Sequence, residues 1–155
     1  MKINTRIFGE IEVDDEKIIN FESGIIGFPQ YTRFTLVYDV DNEQEASIIW
    51  LQSIDEADLV LPIINPLLIK DDYNPTIEDQ YLEPLGELDP DATLIFVTLT
   101  VPSDIKKMTI NLRAPIVVNA NNKKAAQIII EDDLPVRFPI YDLLSERAEE
   151  NKEGK

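Results

Sequence analysis

The sequence predicts a mainly β, single-domain fold: an antiparallel β-barrel-like domain with a short C-terminal helix. Ten prolines, spread from Pro29 to Pro139, forbid long helices through most of the chain, because proline lacks the backbone donor and clashes with the preceding turn. The apolar segments are short, β-branched and bounded by turn formers such as Asp89-Pro90-Asp91. We favour a barrel because closure removes the strand edges that so many short strands would otherwise expose.

Eight segments have the length and composition of β-strands. Apolar and polar residues alternate most clearly along Met108–Arg113, which predicts one face in contact with water. Along Thr93–Val101 the predicted apolar face consists of Ile95, Val97, Leu99 and Val101. In chain order the predicted strands are Ile18–Phe21, Phe34–Val40, Ser47–Ile54, Leu59–Asn65, Thr93–Val101, Met108–Leu112, Ile116–Asn119 and Ala126–Ile130.

Two helical segments are predicted. Glu78–Leu85 has room for a turn or two, although Pro84 limits it. Tyr141–Lys152 has helix formers throughout and one small apolar cluster, which predicts a terminal helix that frays into a tail. We therefore assign residues 1–145 to the barrel domain and residues 146–155 to a charged, disordered tail, because the tail has too few apolar residues to stay ordered alone.

Length and composition fit one ordinary soluble domain. The chain has 155 residues, of which 44% are hydrophobic, and no run approaches the roughly 18 apolar residues of a membrane span. The N-terminal residues lack the apolar stretch of a signal peptide, and cysteine is absent. These features predict a cytoplasmic protein with no membrane contact and no disulfides.

The net charge of −16 is concentrated in one part of the chain. Between Phe34 and Ile105 there are 16 acidic residues and one basic residue, Lys70. A field of this sign repels nucleic acids and anionic membranes and attracts basic partners. The self-repulsion also predicts that the free protein is a monomer.

Few residues offer catalytic, metal-binding or nucleic-acid-binding chemistry. Histidine is absent, so the usual general base and the commonest metal ligand are missing. Asp39–Glu45 resembles the start of a calcium loop, but Gln44 occupies the glycine position and Trp50 the position of the bidentate glutamate. Gly24–Gly27 matches the GxxG loop of KH domains without any basic neighbour. We therefore predict no enzyme activity, no cofactor, no metal and no direct nucleic-acid binding.

Three stretches of the sequence form a distinctive set. They are Phe21–Pro29, Ile49–Ser53 continuing through Asp58-Leu59 to Ile64–Pro66, and Thr109–Asn119 followed by Gln127–Ile129. In this order and at these spacings they resemble the flagellar assembly factor FliW family. The resemblance covers nearly all of residues 1–145, and the third stretch is the most distinctive. The chain departs from the family pattern at Leu61-Pro62 and at Ala126, where an aromatic residue and a glycine are more typical.

The resemblance implies a β-barrel-like protein that binds two partners. Members of this family bind the translational repressor CsrA, which relieves repression of flagellin synthesis, and they also bind flagellin. The resemblance thus implies a chaperone-like partner switch in bacterial flagellum biogenesis and translation regulation. The acidity of this chain agrees with a basic partner surface, because opposite charges attract.

We expect partner contacts in three regions. The first is the glycine loop formed by Gly24, Ile25, Ile26, Gly27, Phe28 and Pro29. The second is a pair of acidic turns on either side of Ser47–Ile54, formed by Asp39, Asp41, Glu43 and Glu45 and by Asp55, Glu56 and Asp58. The third is the apolar part of the predicted terminal helix, at Tyr141 and Leu144.

Several of these residues also have a structural interpretation. Gly24 and Gly27 fit positive-φ positions, with Phe28-Pro29 plugging the barrel end. Gln52 and Ser53 fit a role in pairing with backbone groups at a barrel opening, and Asn119 fits a cap on its own turn.

Two other functions stay open at this point. The first is a carboxylate-based metal-dependent hydrolase, which metal-dependent thermal stabilisation would favour. The second is a structural subunit that only associates with itself, which sedimentation without partners would reveal.

Overall fold

The computed structural model describes residues 1–38 and 48–143. Eleven strands, β1 to β11, and a short α-helix, α1, lie within these ranges, and residues 141–143 are also helical. The helix is Asp79–Leu82, followed by a 3₁₀ turn at Glu83–Leu85. In chain order the strands are Lys2–Thr5, Gly9–Glu12, Ile19–Phe21, Arg33–Tyr38, Ile48–Ser53, Val60–Ile64, Thr93–Thr100, Thr109–Ile110, Ile116–Asn119, Lys124–Gln127 and Phe138–Pro139.

Seven of these strands close into a barrel. The hydrogen-bonded order is β7-β6-β5-β4-β3-β10-β9, and β9 pairs with β7 to complete the ring. β8 pairs with the last residues of β7, at Leu99 and Thr100, and β11 pairs with β8. β1 and β2 form a separate hairpin. The predicted mainly β, barrel-like fold is confirmed.

One pair in the ring is parallel. Lys124 and Ala125 of β10 lie beside Asn20 and Phe21 of β3, and these two strands run in the same direction. The other described pairings are antiparallel, as predicted. Strand directions can alternate around a closed ring only if the number of strands is even, so a seven-stranded ring requires at least one parallel pair.

The barrel interior is filled by apolar side chains from every strand of the ring, most of them large. Phe21 and Phe34 are fully buried and meet edge to face, with ring centroids 5.3 Å apart. Such a pair adds about 1 kcal/mol to the stabilisation from its buried area. The other buried members include Leu51, Ile63, Phe96, Ile116, Val118 and Ala125.

Two further apolar clusters lie outside the ring. The first covers β7 and β8 with Tyr73 and Ile140, so β7 is buried on both faces. The predicted apolar face of β7 is confirmed at Ile95, Val97 and Leu99, which pack in this outer cluster, and is wrong at Val101, which is 47% exposed. Phe96, on the face predicted to be mixed, points to the barrel interior. The second cluster packs Leu85 against Val117, Ile128 and Ile130.

The predicted helices have different outcomes. The prediction of a short helical segment at Glu78–Leu85 is confirmed by α1 and the 3₁₀ turn that follows it. At the C-terminus residues 141–143 are helical, while most of the predicted Tyr141–Lys152 helix and the whole 146–155 tail lie outside the described residues. No helix in residues 1–38 and 48–143 is long and apolar enough to cross a membrane.

Candidate protein-binding site

The loop after β3 reverses direction at two glycines. Gly24 has a φ of +69° and Gly27 a φ of +90°, a region that residues with a Cβ rarely adopt. The N–H of Phe28 donates to the carbonyl of Ile25 at 2.8 Å, which closes a tight turn with Gly27 at its third position. The prediction that both glycines occupy positive-φ positions is confirmed.

This turn separates buried from exposed side chains. Ile25 is 3% exposed and belongs to the barrel core, whereas Ile26 and Phe28 are 49% and 39% exposed. The predicted Phe28-Pro29 plug is therefore wrong, because both residues lie at the surface and Ile25 enters the core instead. The turn presents Ile26 and Phe28 to solvent.

Gln127 on β10 holds the glycine loop in place. Its Oε1 accepts the N–H of Ile26 at 2.9 Å, and its Nε2 donates to the carbonyl of Ala114 at 3.3 Å. The loop of the first sequence motif and the strands of the third are thus joined through one side chain, although 101 positions separate Ile26 from Gln127.

A groove of about 750 Å³ opens beside this junction. Three parts of the chain border it: the end of β3 with the glycine loop, α1 with the turn after it, and β10 with the residues that follow. A second cavity of about 290 Å³ shares Tyr81, Ile128 and Ile129 with the first, so the two lie next to each other.

The groove combines exposed apolar side chains with acidic ones. Ile26, Tyr81 and Ile129 are 49%, 49% and 64% exposed. The charged residues bordering the two cavities are Glu22, Lys124, Glu78, Glu131 and Asp132. Exposed apolar residues grouped beside charged ones are typical of sites that bind another chain. No cluster of three or more His, Cys, Asp or Glu residues within residues 1–38 and 48–143 is arranged to hold a metal ion.

Comparison with known proteins decides the family. Residues 2–140 match the family described as FliW protein. The flagellar assembly factor FliW of Lachnospira eligens is 48% identical over 153 residues, which is 97% of this chain and 100% of that protein. The chain belongs to the FliW family.

Further FliW relatives support the same assignment across the whole length. The flagellar assembly factor FliW of Lachnoclostridium phytofermentans is 47% identical over 149 residues, covering 96% of each chain. A crystal structure of the flagellar assembly factor FliW superposes with a TM-score of 0.82 at 30% identity and covers 91% of this chain and 97% of that one. The barrel and its outer clusters are therefore a FliW fold.

The acidic turn at residues 55–58 lies at the same end of this FliW barrel as the glycine loop. Arg33 begins β4, directly after that loop, and its guanidinium donates to both carboxylate oxygens of Asp55. These hydrogen bonds and the opposite charge lower the pKa of Asp55 from its ordinary value. Asp55 and Asp58 are exposed and Glu56 is half-buried, with its Oε1 accepting the N–H of Asp58. The negative charge that this turn offers a partner therefore comes mainly from Glu56 and Asp58.

The remaining candidate residues lie mostly outside the part of the chain that the structure describes. Asp39, Asp41, Glu43, Glu45 and Leu144 lie outside the described residues. Tyr141 is half-buried in the short helical segment 141–143. Of the three predicted regions, the structure thus brings together the glycine loop and the acidic turn at 55–58.

Sequence reasoning missed the sides of the groove that lie opposite the glycine loop. Tyr81 and Ile129, which border the groove with that loop, were assigned only to a short helix and to a strand. Gln127 was noted as part of the third motif but not as a contact of the loop. One available signal was the isolated Gln127 between Ala126 and Ile128, since a polar residue inside an apolar segment needs a hydrogen-bond partner.

Proposed function

We propose that this chain is a non-catalytic, protein-binding regulator of flagellum assembly that acts in the cytoplasm. In this proposal it antagonises the translational repressor CsrA and binds flagellin, and the two partners act as alternatives in a switch. The observation that carries the proposal is the similarity, over almost the whole chain, to proteins named flagellar assembly factor FliW.

The groove and the charge of the chain support the proposal. The groove offers exposed Ile26, Tyr81 and Ile129 to an apolar segment of another protein. The net charge of −16 favours a basic partner, and an RNA-binding repressor has a basic surface by the nature of its ligand.

The test combines binding and release. Purified chain is titrated into labelled CsrA and, separately, into flagellin, and a CsrA–RNA complex is then challenged with the chain. We expect both proteins to bind, the chain to release RNA from CsrA, and added flagellin to restore RNA binding. A chain that binds neither protein at about 10 μM would contradict the proposal. Thermal unfolding with calcium, magnesium and manganese is the control, since stabilisation by a metal would point to the hydrolase instead.

A further inference from the structure

After β10 ends at Gln127, residues 128–130 keep the alternate backbone hydrogen bonding of a strand along one side, and their other side is open. The N–H groups of Ile128 and Ile130 donate to the carbonyls of Pro115 and Arg113, at 3.0 and 2.9 Å. Because backbone groups of successive residues in a strand point to opposite sides, those of Ile129 face away from this partner segment. Within the described part of the chain, neither the N–H nor the carbonyl of Ile129 has a hydrogen-bond partner.

The edge is open because the neighbouring strand ends early. β3 pairs with β10 only at Lys124 and Ala125, and the chain then turns away, with the N–H of Gly24 donating to the carbonyl of Phe21 at 2.9 Å. The space left beside residues 127–129 is the groove. A sheet edge of this kind is a template for an added strand, and natural proteins normally protect such edges with charges or proline.

The side chains around this edge indicate the chemistry of the added strand. Exposed Ile26, Tyr81 and Ile129 suit apolar side chains of an extended segment. Four acidic residues border the two cavities against one basic residue, Lys124, so the flanks of that segment should be basic. The acidic residues are Glu22, Glu78, Glu131 and Asp132.

We propose that residues 127–131 form a docking edge that accepts an extended apolar segment with basic flanks from a partner chain by strand addition. The proposal rests on the proposed function and specifies how one of its partners binds. A second copy of this chain is a poorer occupant, because it would bring the same acidic residues to the contact. The C-terminal residues 145–155 are also poorer, since Ala148 is their one apolar residue and four of them are acidic.

The test uses the full chain and a peptide of the stated chemistry, acetyl-KKTVIVTKK-amide. The peptide is titrated to about 1 mM into ¹⁵N-labelled protein, and amide shifts and exchange protection are followed at residues 127–131. We expect Ile129 to shift and its amide to become protected. A peptide N-methylated at alternate residues, which cannot complete the ladder, should bind at least about tenfold more weakly.

Variants of Ile129 separate the backbone from the side chain. Ile129→Pro removes an N–H that has no hydrogen-bond partner among residues 1–38 and 48–143, so the fold should survive while peptide affinity falls about tenfold. Ile129→Thr keeps the N–H and removes only apolar area, so its affinity for the peptide should fall only a few-fold. Ile105→Ala, which trims an exposed residue outside the groove, should change nothing. The N-methylated peptide tests the same bond without altering the protein, should Ile129→Pro fail to fold.

Several outcomes would overturn the docking edge. They are the absence of shifts at residues 127–131, equal binding of the N-methylated peptide, and equal binding by a folded Ile129→Pro variant. A dimer of the free chain that Ile129→Pro abolishes would assign the edge to self-association and likewise reject a separate partner.

CsrA and flagellin, measured on the same variants, separate this inference from the proposed function. If the peptide binds at the edge but neither CsrA nor flagellin binds, the docking edge would be supported and the proposed function would be rejected. If the peptide does not bind, and Ile129→Pro does not weaken the binding of CsrA or flagellin, the proposed function would stand and the docking edge would be rejected.

Discussion

Gly24 lies where the backbone of the glycine loop comes closest to itself. A Cβ at this position would lie 2.6 Å from both the carbonyl oxygen of Phe28 and the Cα of Pro29. A Cβ at Gly27 would meet nothing within 4 Å, although its φ is also positive. The two glycines therefore differ in packing while sharing the same backbone requirement.

This difference predicts unequal effects of alanine. Gly24→Ala should lower the free energy of unfolding by about 3 kcal/mol, because the positive φ and the backbone overlap both oppose it. Gly27→Ala should cost about 1–2 kcal/mol, from the positive φ alone. Urea unfolding of the two variants measures both values, and equal destabilisation would show that the loop relaxes around the methyl group added at Gly24.

The buried phenol of Tyr73 should make the protein less stable at high pH. Its O–H donates to the carbonyl of Leu112 at 2.7 Å, and burial, with a smaller effect of Asp132, raises its pKa to about 12. Because the pKa in the unfolded chain is about 10, the phenol contributes fully below pH 10 and its contribution is lost as pH rises toward 12. Loss of about 2–3 kcal/mol is expected over this range.

The Tyr73→Phe variant isolates this effect. It should be less stable than the parent chain at pH 7, because the Leu112 carbonyl loses its donor. Its stability should fall less steeply between pH 10 and pH 12. The free energy of unfolding of both proteins is measured in urea as a function of pH. If it falls equally steeply for both between pH 10 and pH 12, the role assigned to Tyr73 is contradicted.

Single polar residues were predicted well where their partners are local. The turn after β9 is capped as expected, with the Oδ1 of Asn119 accepting the N–H of Asn121 at 3.1 Å. Gln52 and Ser53 pair with backbone groups of the 53–59 turn, also as expected. The distant partners of Asn119, the carbonyls of Leu85 and Glu87, could not be predicted, because they depend on how separate elements pack.

At the scale of elements, strands with strong apolar signals were predicted to within a few residues. Thr93–Val101 corresponds to β7 at Thr93–Thr100, and Ser47–Ile54 to β5 at Ile48–Ser53. The prediction of Ala126–Ile130 was shifted from β10 at Lys124–Gln127, because Lys124 pairs with Asn119 through its backbone whatever its side chain. β11 was missed, since two residues give no measurable period.

The N-terminal hairpin was also missed, because its strands are short and mostly polar. It is attached to the barrel by the N–H of Arg6, which donates to the carbonyl of Ala57 at 3.0 Å. The ring of Phe8 also meets that of Trp50 edge to face, with centroids 6.2 Å apart. Since the chain has one tryptophan, Trp50 reports on this attachment.

Phe8→Ala should therefore detach the hairpin from β5. Tryptophan emission should shift to the red as Trp50 becomes more exposed, with a loss of about 1–2 kcal/mol in stability. Ile7→Ala, which trims an exposed neighbour, is the matched control and should leave the emission unchanged. Emission that stays constant in Phe8→Ala would show that the hairpin is held by its backbone alone.

For the whole molecule, the charge distribution makes a kinetic prediction. If CsrA approaches through a basic surface, association should be steered by the acidic turn after β5. The double variant Glu56→Gln, Asp58→Asn should slow association several-fold and change dissociation little. Its effect should disappear at high salt, where exposed charges are screened. Surface plasmon resonance at two salt concentrations measures both rates.

Asp55→Asn provides the comparison for this double variant. It removes the partner of Arg33 and leaves that guanidinium free to repel a basic surface. Asp55→Asn should therefore slow association at least as much as Glu56→Gln or Asp58→Asn does alone. If none of the three substitutions changes the association rate, CsrA recognition would be assigned to apolar contacts instead.

Closure of the ring joins the beginning of the chain to its end. β3, at residues 19–21, has β10, at residues 124–127, as its neighbour, and the groove takes residues from both sides of this seam and from α1. A ribosome adds about 5–20 residues per second, so several seconds separate the synthesis of the two halves. Until residue 129 has left the exit tunnel, a nascent chain has neither a closed barrel nor a groove. Under the proposed function, only chains that extend past residue 129 can compete for a partner, so a product truncated or stalled before this residue would not bind it.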